Sequence, residues 1–173
     1  QRAGNIVITT PKLTLADDAT IDGRSNFQGS GGGEINIKVQ TLTMTGKTGI
    51  FGDTANSGPG GNISIVADTI SLSGESVIAS LTTGTGRGGN VTITVTGATL
   101  FLYDSATITT DTTAEGTAGN ITLKVNDLVI AEESRITSDP QGNNAYVQKR
   151  LGQAKLANQL GAQSNGEFTG GGK

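Results

Sequence analysis

The chain has 173 residues, of which 27 are Gly, four are Phe, two are Tyr and none is Trp, Cys or His. This length suits one domain, but so few aromatic residues exclude a core anchored by aromatic side chains. The missing Cys and His exclude disulfide bonds and thiolate metal sites, and they remove the commonest metal ligand and general base. The formal net charge of −3, with Lys and Arg scattered, gives no basis for nucleic-acid binding.

The first residues carry no targeting signal. The start, QRAGNIVITT, lacks the hydrophobic region of a signal peptide, and Gln1 is not an initiator Met. We therefore expect a processed product or a fragment of a longer chain. No apolar run approaches the roughly 20 residues that cross a bilayer, so no membrane span is predicted.

Five similar units then follow one another, each opening on a first strand. The units align on residues separated by 29, 28, 28 and 30 positions, namely Asn5, Glu34, Asn62, Asn90 and Asn120. Aliphatic residues stand one position later, at Ile6, Ile35, Ile63, Val91 and Ile121. They stand again three positions later, at Ile8, Ile37, Ile65, Ile93 and Leu123. Alternation at a spacing of two predicts a strand with one buried face.

Each unit continues with a second and a third strand. The second strand carries an aliphatic pair, at Leu13 and Leu15, Leu42 and Met44, Ile70 and Leu72, Leu100 and Leu102, and Leu128 and Ile130. Two extra residues near Thr96-Gly97 account for the longer fourth period. Six positions beyond each pair stand Ile21, Ile50, Ile78, Ile108 and Ile136, which mark the third strand.

One such unit cannot fold alone, because a few buried aliphatic side chains do not offset the lost backbone entropy of 28 residues. Its strands must therefore stack on those of neighbouring units. The sequence predicts an all-β protein whose residues 1–140 form a parallel β-helix, or β-solenoid. We expect about five coils of 28–30 residues with three short strands each.

A Gly-rich loop closes each unit and ends on the phrase Gly-Asn, as at Gly89-Asn90. We expect Gly89 to supply a positive φ and Asn90 to bond turn backbone through its side chain. Stacking would align the amides in a ladder like those of cross-β structures, formed by Asn5, Asn62, Asn90 and Asn120. Glu34 interrupts this ladder, so we predict that the second coil is the weakest.

These three strand patterns together resemble a known family over residues 3–140. The GGN-aliphatic-x-aliphatic first strand, the L-x-L second strand and the small-x-Ile third strand resemble the haemagglutinin-type repeats of large two-partner-secreted exoproteins. The likeness is to cyanobacterial filamentous-haemagglutinin-like proteins in particular. The resemblance implies a right-handed parallel β-helix, a secreted or cell-surface location, and a role in adhesion, biofilm or surface-fibre formation. The secretion domain with which such proteins begin is absent from this sequence.

Residues 141–173 match no repeat and form a separate tail after Asp139-Pro140. Apolar residues at helical spacing predict an amphipathic helix from about 144 to 160, namely Val147, Leu151, Ala154, Ala157 and Leu160. The tail has a charge of +3, whereas residues 1–140 sum to −6. We expect it to dock on its own solenoid or on a neighbour's. A cap on the last coil, an intersubunit clasp and a linker all remain open.

The second turns are rich in carboxylates, at Asp17, Asp18, Glu75, Asp104, Glu132 and Glu133. Paired carboxylates cleave polysaccharides in some proteins, but the adjacent pairs here belong to the first and last units only. The Gly84-x-Gly86-x-x-Gly89 match to a dinucleotide fingerprint lies between strands rather than before a helix. We therefore predict a solvated acidic ridge with no catalytic residue, cofactor or metal site, and calcium binding is the lesser alternative.

The sequence thus predicts a structural protein that stacks end to end as a head-to-tail homopolymer. The expected interface joins first-coil residues, last-coil residues and the tail, namely Ile6, Ile8, Leu13, Leu15, Ile21, Ile121, Leu123, Leu128, Ile130, Ile136, Val147, Leu151 and Leu160. Cell-surface or matrix polysaccharide is a further expected partner. The alternative function is a carbohydrate-binding or carbohydrate-cleaving β-helix.

Overall fold

The computed structural model describes residues 3–26, 30–55, 57–97, 99–112 and 116–138, together with the backbone of 145–149. Within these ranges the chain is all-β and has no helix. The strands, in chain order, are β1 (Ile6–Leu15), β2 (Thr20–Asp22), β3 (Ile35–Met44), β4 (Gly49–Phe51), β5 (Ile63–Ala67), β6 (Thr69–Leu72), β7 (Val77–Ala79), β8 (Val91–Val95), β9 (Thr99–Leu102), β10 (Thr107–Thr109), β11 (Ile121–Val125), β12 (Asp127–Ile130), β13 (Arg135–Thr137) and β14 (Ala145–Lys149).

All described strand pairs are parallel, and each strand pairs with its counterparts in the adjacent coils. The first and second strand positions form one sheet, in which β1 pairs with β3 and the remaining order is β12-β9-β6-β3-β5-β8-β11-β14. The third strand positions form a second sheet, in the order β13-β10-β7-β4-β2. Four complete turns lie between Asn5 and Asn120, and the three strands of a fifth coil follow. The predicted parallel β-helix is confirmed.

Three faces surround the core. The first face holds residues 6–10 and their counterparts, the second holds residues 12–15 and theirs, and the third holds β2 and its counterparts. In the first two coils one ten-residue strand covers the first and second faces, whereas later coils break at the bend between them. The break is longest in the fourth coil, where β8 ends at Val95 and β9 begins at Thr99. This confirms the two extra residues near Thr96-Gly97.

The aliphatic columns lie inside the solenoid in the register that the repeat predicts. Ile65 pairs with Ile37 on one side and with Ile93 on the other. On the third face, Ile78 lies between Ile50 and Ile108 in the same way. All of these side chains are at most 2% exposed. In β5 and β8 buried residues alternate with half-buried ones, so one face of each of these strands supplies the core.

The glycine of the Gly-Asn phrase is required for a reason that differs from the one expected. Gly89 does not adopt a positive φ. A Cβ atom at Gly89 would instead collide with the carbonyl oxygen of Gly61 in the preceding coil. The same contact recurs at Gly33, Gly61 and Gly119, each of which faces the carbonyl of the glycine one coil earlier. Gly4 begins this column and supplies the carbonyl that Gly33 faces, but no carbonyl lies against Gly4 itself. Close backbone approach between coils, and not turn conformation, therefore fixes glycine at this position.

The helix predicted from about 144 to 160 is wrong where the structure describes it. Residues Ala145–Lys149 form β14, which pairs in parallel with β11 and aligns Val147 with Leu123. The open edge of the fifth coil offers unpaired backbone groups, and these favour an added strand. In the sequence, Asn144 precedes β14 as Asn120 precedes β11. The rest of the predicted helix, including Leu151 and Leu160, lies outside the described residues.

Candidate functional site

The acidic second turns stack along one corner of the solenoid, between the second and third faces. At each turn the chain bends from the second face to the third through left-handed residues, as at Asp104 with φ 55° and Ser105 with φ 65°. Asp and Asn adopt this region more readily than most residues with a side chain, and glycine takes it in the second and third coils, at Gly46 and Gly74. Backbone conformation thus accounts for Asp and Gly in these turns, but not for Glu75, Glu132 and Glu133, which adopt the same region.

This ridge has the properties of a solvated surface. Its carboxylates are exposed, and Lys47 lies 3.8 Å from the Glu75 carboxylate in an ion pair that is exposed on both sides. Exposed pairs of this kind contribute little to stability. Within the described ranges no three acidic side chains converge on a point that could hold a metal ion. In the same ranges, no helix is long and apolar enough to cross a membrane.

A charged cluster occupies the corner after the third face in the first two coils. The Arg24 guanidinium is held by the Asp22 carboxylate and lies 5.0 Å from the centre of the Phe51 ring. The hydrogen bond from Arg24 lowers the pKa of Asp22. Asp53, in the next coil, is more buried, and its Oδ1 accepts the N–H of Leu81 at 2.8 Å. Burial raises the pKa of Asp53, because desolvation outweighs this hydrogen bond and the charge of Arg24.

Because the pKa of Asp53 is raised, we predict that Asp53→Asn stabilises the folded protein, and that this stabilisation depends on pH. The folded state holds this proton more tightly than the unfolded state, so the carboxyl's contribution to stability falls as the pH rises above its ordinary pKa of 3.8. Asn keeps an oxygen for the N–H of Leu81 and removes the buried charge. Thermal melts should show a higher Tm for the variant at about pH 7 and no difference at about pH 3. An equal difference at both pH values would contradict this cause.

The predicted asparagine column forms hydrogen bonds between coils, though to backbone and not from amide to amide. The side-chain oxygen of Asn62 accepts the N–H of Asn90 at 3.0 Å, and that of Asn90 accepts the N–H of Asn120 at 2.9 Å. In the first coil, Asn5 accepts the N–H of Glu34 at 3.1 Å. Each such bond satisfies a backbone donor at the start of a first strand.

Glu34→Asn should therefore stabilise the second coil. The shorter Asn side chain matches the rungs on either side, and it removes a carboxylate from a column of neutral amides. One hydrogen bond of this kind is worth about 1 kcal/mol, which raises Tm by roughly 2–4 °C in a protein of this size. Urea unfolding of Glu34→Asn measures the gain, and Asn90→Ala is the matched control, expected to lose a similar amount. A Glu34→Asn variant no more stable than wild type would show that the second coil is not weakened by Glu34.

A cleft of about 180 Å³ lies beside this column, where the Gly-rich loops meet the first face. It is lined by glycines of three successive loops together with Glu34, Pro59, Asn62, Arg87 and Asn90. It contains one carboxylate and no His or Cys, so it lacks a nucleophile with an adjacent base.

The residues predicted for end-to-end assembly lie at opposite ends of the solenoid. Ile6, Ile8, Leu13 and Ile21 are half-buried at the first coil, whereas Ile121 and Leu123 are fully buried at the last. Leu128, Ile130 and Ile136 are at most 9% exposed. The two ends therefore differ, and the first coil presents the more open apolar layer. Within one chain, four turns separate the two groups, so the structure does not bring them together.

One surface, which we name the aromatic–acidic patch, was not predicted from the sequence. It consists of Phe101, Tyr103 and Val129 on the second face of the fourth and fifth coils, with the neighbouring carboxylates Asp104, Glu132 and Glu133. The three apolar side chains are 38%, 39% and 41% exposed. The signal was present, since Phe101 alternates with the core residues Leu100 and Leu102 and must point outward.

Local contacts order this patch. Phe101 pairs directly with Val129, and the Ser71 hydroxyl donates to the Tyr103 hydroxyl at 3.5 Å. Hydrogen bonds from Ser71 and Ser73 lower the pKa of Tyr103, against the charges of Asp104 and Glu132. The phenol is therefore within electrostatic reach of both carboxylates.

Comparison with protein-family models, with curated proteins and with solved structures finds no match to this chain.

Proposed function

We propose that the protein is a secreted structural solenoid that stacks end to end into a fibre or an adhesive cell-surface layer. The observation that supports this most directly is β14. It adds to the edge of β11 in parallel, with Ala145 aligned to Ile121 and Val147 to Leu123. The last coil thus accepts a further strand in the register of the repeat.

The two ends offer complementary edges. Among the described strands, β1 pairs only with β3 and β2 only with β4, so the outer edge of the first coil lacks a partner. At the other end β12 and β13 are terminal in the described sheets. Unpaired edges recruit strands. A contact between opposite ends is heterologous and propagates into a filament unless its rotation closes a ring.

The location and the role in adhesion rest on the resemblance of residues 3–140 to filamentous-haemagglutinin-like repeats. The solenoid that this resemblance implies is consistent with the observed fold. A repetitive aliphatic core without reactive side chains also suits a structural role.

Deleting residues 141–173 tests the assembly. Among the described strands, β14 pairs with β11 alone, so its removal exposes the edge of β11. We expect the deletion variant to form longer filaments than the full chain in electron microscopy, with mass rising with concentration in sedimentation. Val7→Lys in the deletion background would serve as a control, because Val7 points outward at 72% exposure and not toward the end. Proteins that stay monomeric with and without the tail would defeat the proposal, and loss of filaments on deletion would make the tail a clasp.

Carbohydrate binding is the second candidate, and the exposed rings of Phe101 and Tyr103 favour it. Aromatic side chains on a flat sheet, with carboxylates beside them, offer stacking and hydrogen bonding to a sugar. Retarded migration in gels that contain polysaccharide, abolished by Phe101→Ala, would support binding. Unaltered migration of both proteins would count against it.

A further inference from the structure

The aromatic–acidic patch combines two features that select the same kind of partner. Its apolar part, Phe101, Tyr103 and Val129, gathers three of the four large hydrophobic side chains that are exposed among the described residues. Its rim carries three carboxylates, at Asp104, Glu132 and Glu133. Exposed apolar groups of this kind mark contact sites, and carboxylates next to aromatic rings favour cations. The matching partner is a polypeptide segment with both Lys or Arg and aliphatic side chains.

The molecule already contains such a contact elsewhere. Arg24 lies over the Phe51 ring, and the Asp22 carboxylate holds its guanidinium in place. An aromatic ring and a carboxylate on the outer surface of this solenoid therefore do bind a cation. The patch has the corresponding rings and carboxylates, and within the described ranges no Lys or Arg forms an ion pair or a cation–π contact with them.

The chain's own tail begins beside the patch. β14 ends at Lys149, which pairs with Val125, the last residue of β11, and β12 begins at Asp127. In every described coil the chain then proceeds from the first face to the second, where the patch lies. An extended chain covers about 3.3 Å per residue, so a few residues beyond Lys149 suffice to reach Val129.

Residues 150–173, which lie outside the described part of the chain, have the required composition. They contain three cations, Arg150, Lys155 and Lys173, against the single carboxylate Glu167. They also contain the aliphatic residues Leu151, Leu156 and Leu160. The residues before 141 carry a net charge of −6, so the attraction between tail and solenoid has the correct sign. An uncharged saccharide would use the rings but leave the carboxylates without a counter-charge.

We propose that residues 150–173 dock on the aromatic–acidic patch of their own solenoid, with Arg and Lys against its carboxylates and Leu over its rings. The contact is independent of end-to-end assembly, because it uses the outer surface of the second face and not the open edges. It makes the exposure of Phe101 and Tyr103 dependent on ionic strength, since attraction between exposed charges is screened by salt.

Tyrosine fluorescence in the full chain tests this docking. The chain has no Trp and only two Tyr, so Tyr146→Phe leaves Tyr103 as the sole emitter. In this parent, acrylamide should quench Tyr103 weakly. Neutralising the tail with Arg150→Gln and Lys155→Gln should raise the quenching constant about twofold, and high salt should raise that of the parent equally. Far-UV circular dichroism checks that the solenoid is intact.

A matched pair of double variants tests whether the carboxylates of the patch bind the tail. Glu132→Gln with Glu133→Gln removes two charges from the patch, whereas Asp17→Asn with Asp18→Asn removes two from the same turn of the first coil. Only the first pair should raise the quenching of Tyr103. Equal quenching in the parent and all variants would overturn the proposal. So would protection that appears only at high protein concentration, which would indicate a second copy, or protection that appears only when a polysaccharide is added.

Discussion

Ile65→Asp should unfold the solenoid or lower its free energy of unfolding by about 4–5 kcal/mol or more. Ile65 is fully buried in the central coil, where it packs between Ile37 and Ile93. A carboxylate at this position loses its hydration and has no cationic partner in the aliphatic column. Folded domains have a free energy of unfolding of only about 5–15 kcal/mol. The substitution therefore removes a large part of it. Chemical denaturation followed by circular dichroism measures it.

Thr94→Asp is the matched control for this change. Thr94 lies in the adjacent coil on the outward side of β8, between Val66 and Lys124. The new carboxylate stays in solvent and gains a neighbouring cation, so stability should change by about 0.5 kcal/mol or less. Equal losses from Ile65→Asp and Thr94→Asp would contradict the inward and outward assignment of the first face.

The fold could be predicted from sequence because the relevant signal is repeated. Alternation within one strand is weak, but residues such as Ile65, Ile93 and Leu123 recur at a constant offset in every unit. Stacking then follows from the need to bury them, and the register of Ile65 with Ile93 follows from the offset. The longer bend at Thr96 was predictable for the same reason, because its two extra residues lengthen the interval from Asn90 to Asn120 to 30 residues.

Other features could not be read from the pattern. The tail segment Asn144-Ala145-x-Val147 repeats the first-strand phrase, but it comes 24 residues after Asn120, whereas the preceding intervals are 28–30. The apolar spacing favoured a helix there, and pairing with β11 overrode it. The aromatic–acidic patch depends on which outward residues become neighbours across coils. The number of aromatic residues alone does not show that Phe101 lies beside Val129.

At the glycine column, the need for glycine was predicted correctly, but the predicted cause was wrong. Gly at a loop end first indicates a turn with positive φ, but Gly89 is not in that conformation. Its backbone instead lies against Gly61, and the adjacent Ile63 N–H donates to the Asn90 carbonyl at 2.9 Å. The spacing between coils is set by these backbone contacts. It is a property of two neighbouring coils, which no single unit of the sequence displays.

Gly89→Ala should accordingly destabilise the protein by about 1–3 kcal/mol or more, as overpacked sites do. The added methyl group meets the backbone carbonyl of Gly61, which cannot rotate away as a side chain would. The third and fourth coils must separate, which strains the hydrogen bond from Ile63 to Asn90. Thermal and urea unfolding of the variant measure the loss.

Gly4→Ala is the control, because Gly4 begins the same column and a Cβ atom there meets nothing within 4 Å. Both substitutions restrict the unfolded chain in the same way, so the entropic gain from replacing glycine cancels in the comparison. Gly4→Ala should leave stability unchanged within about 0.5 kcal/mol. If Gly89→Ala is equally harmless, close approach between coils does not explain the repeated Gly-Asn phrase.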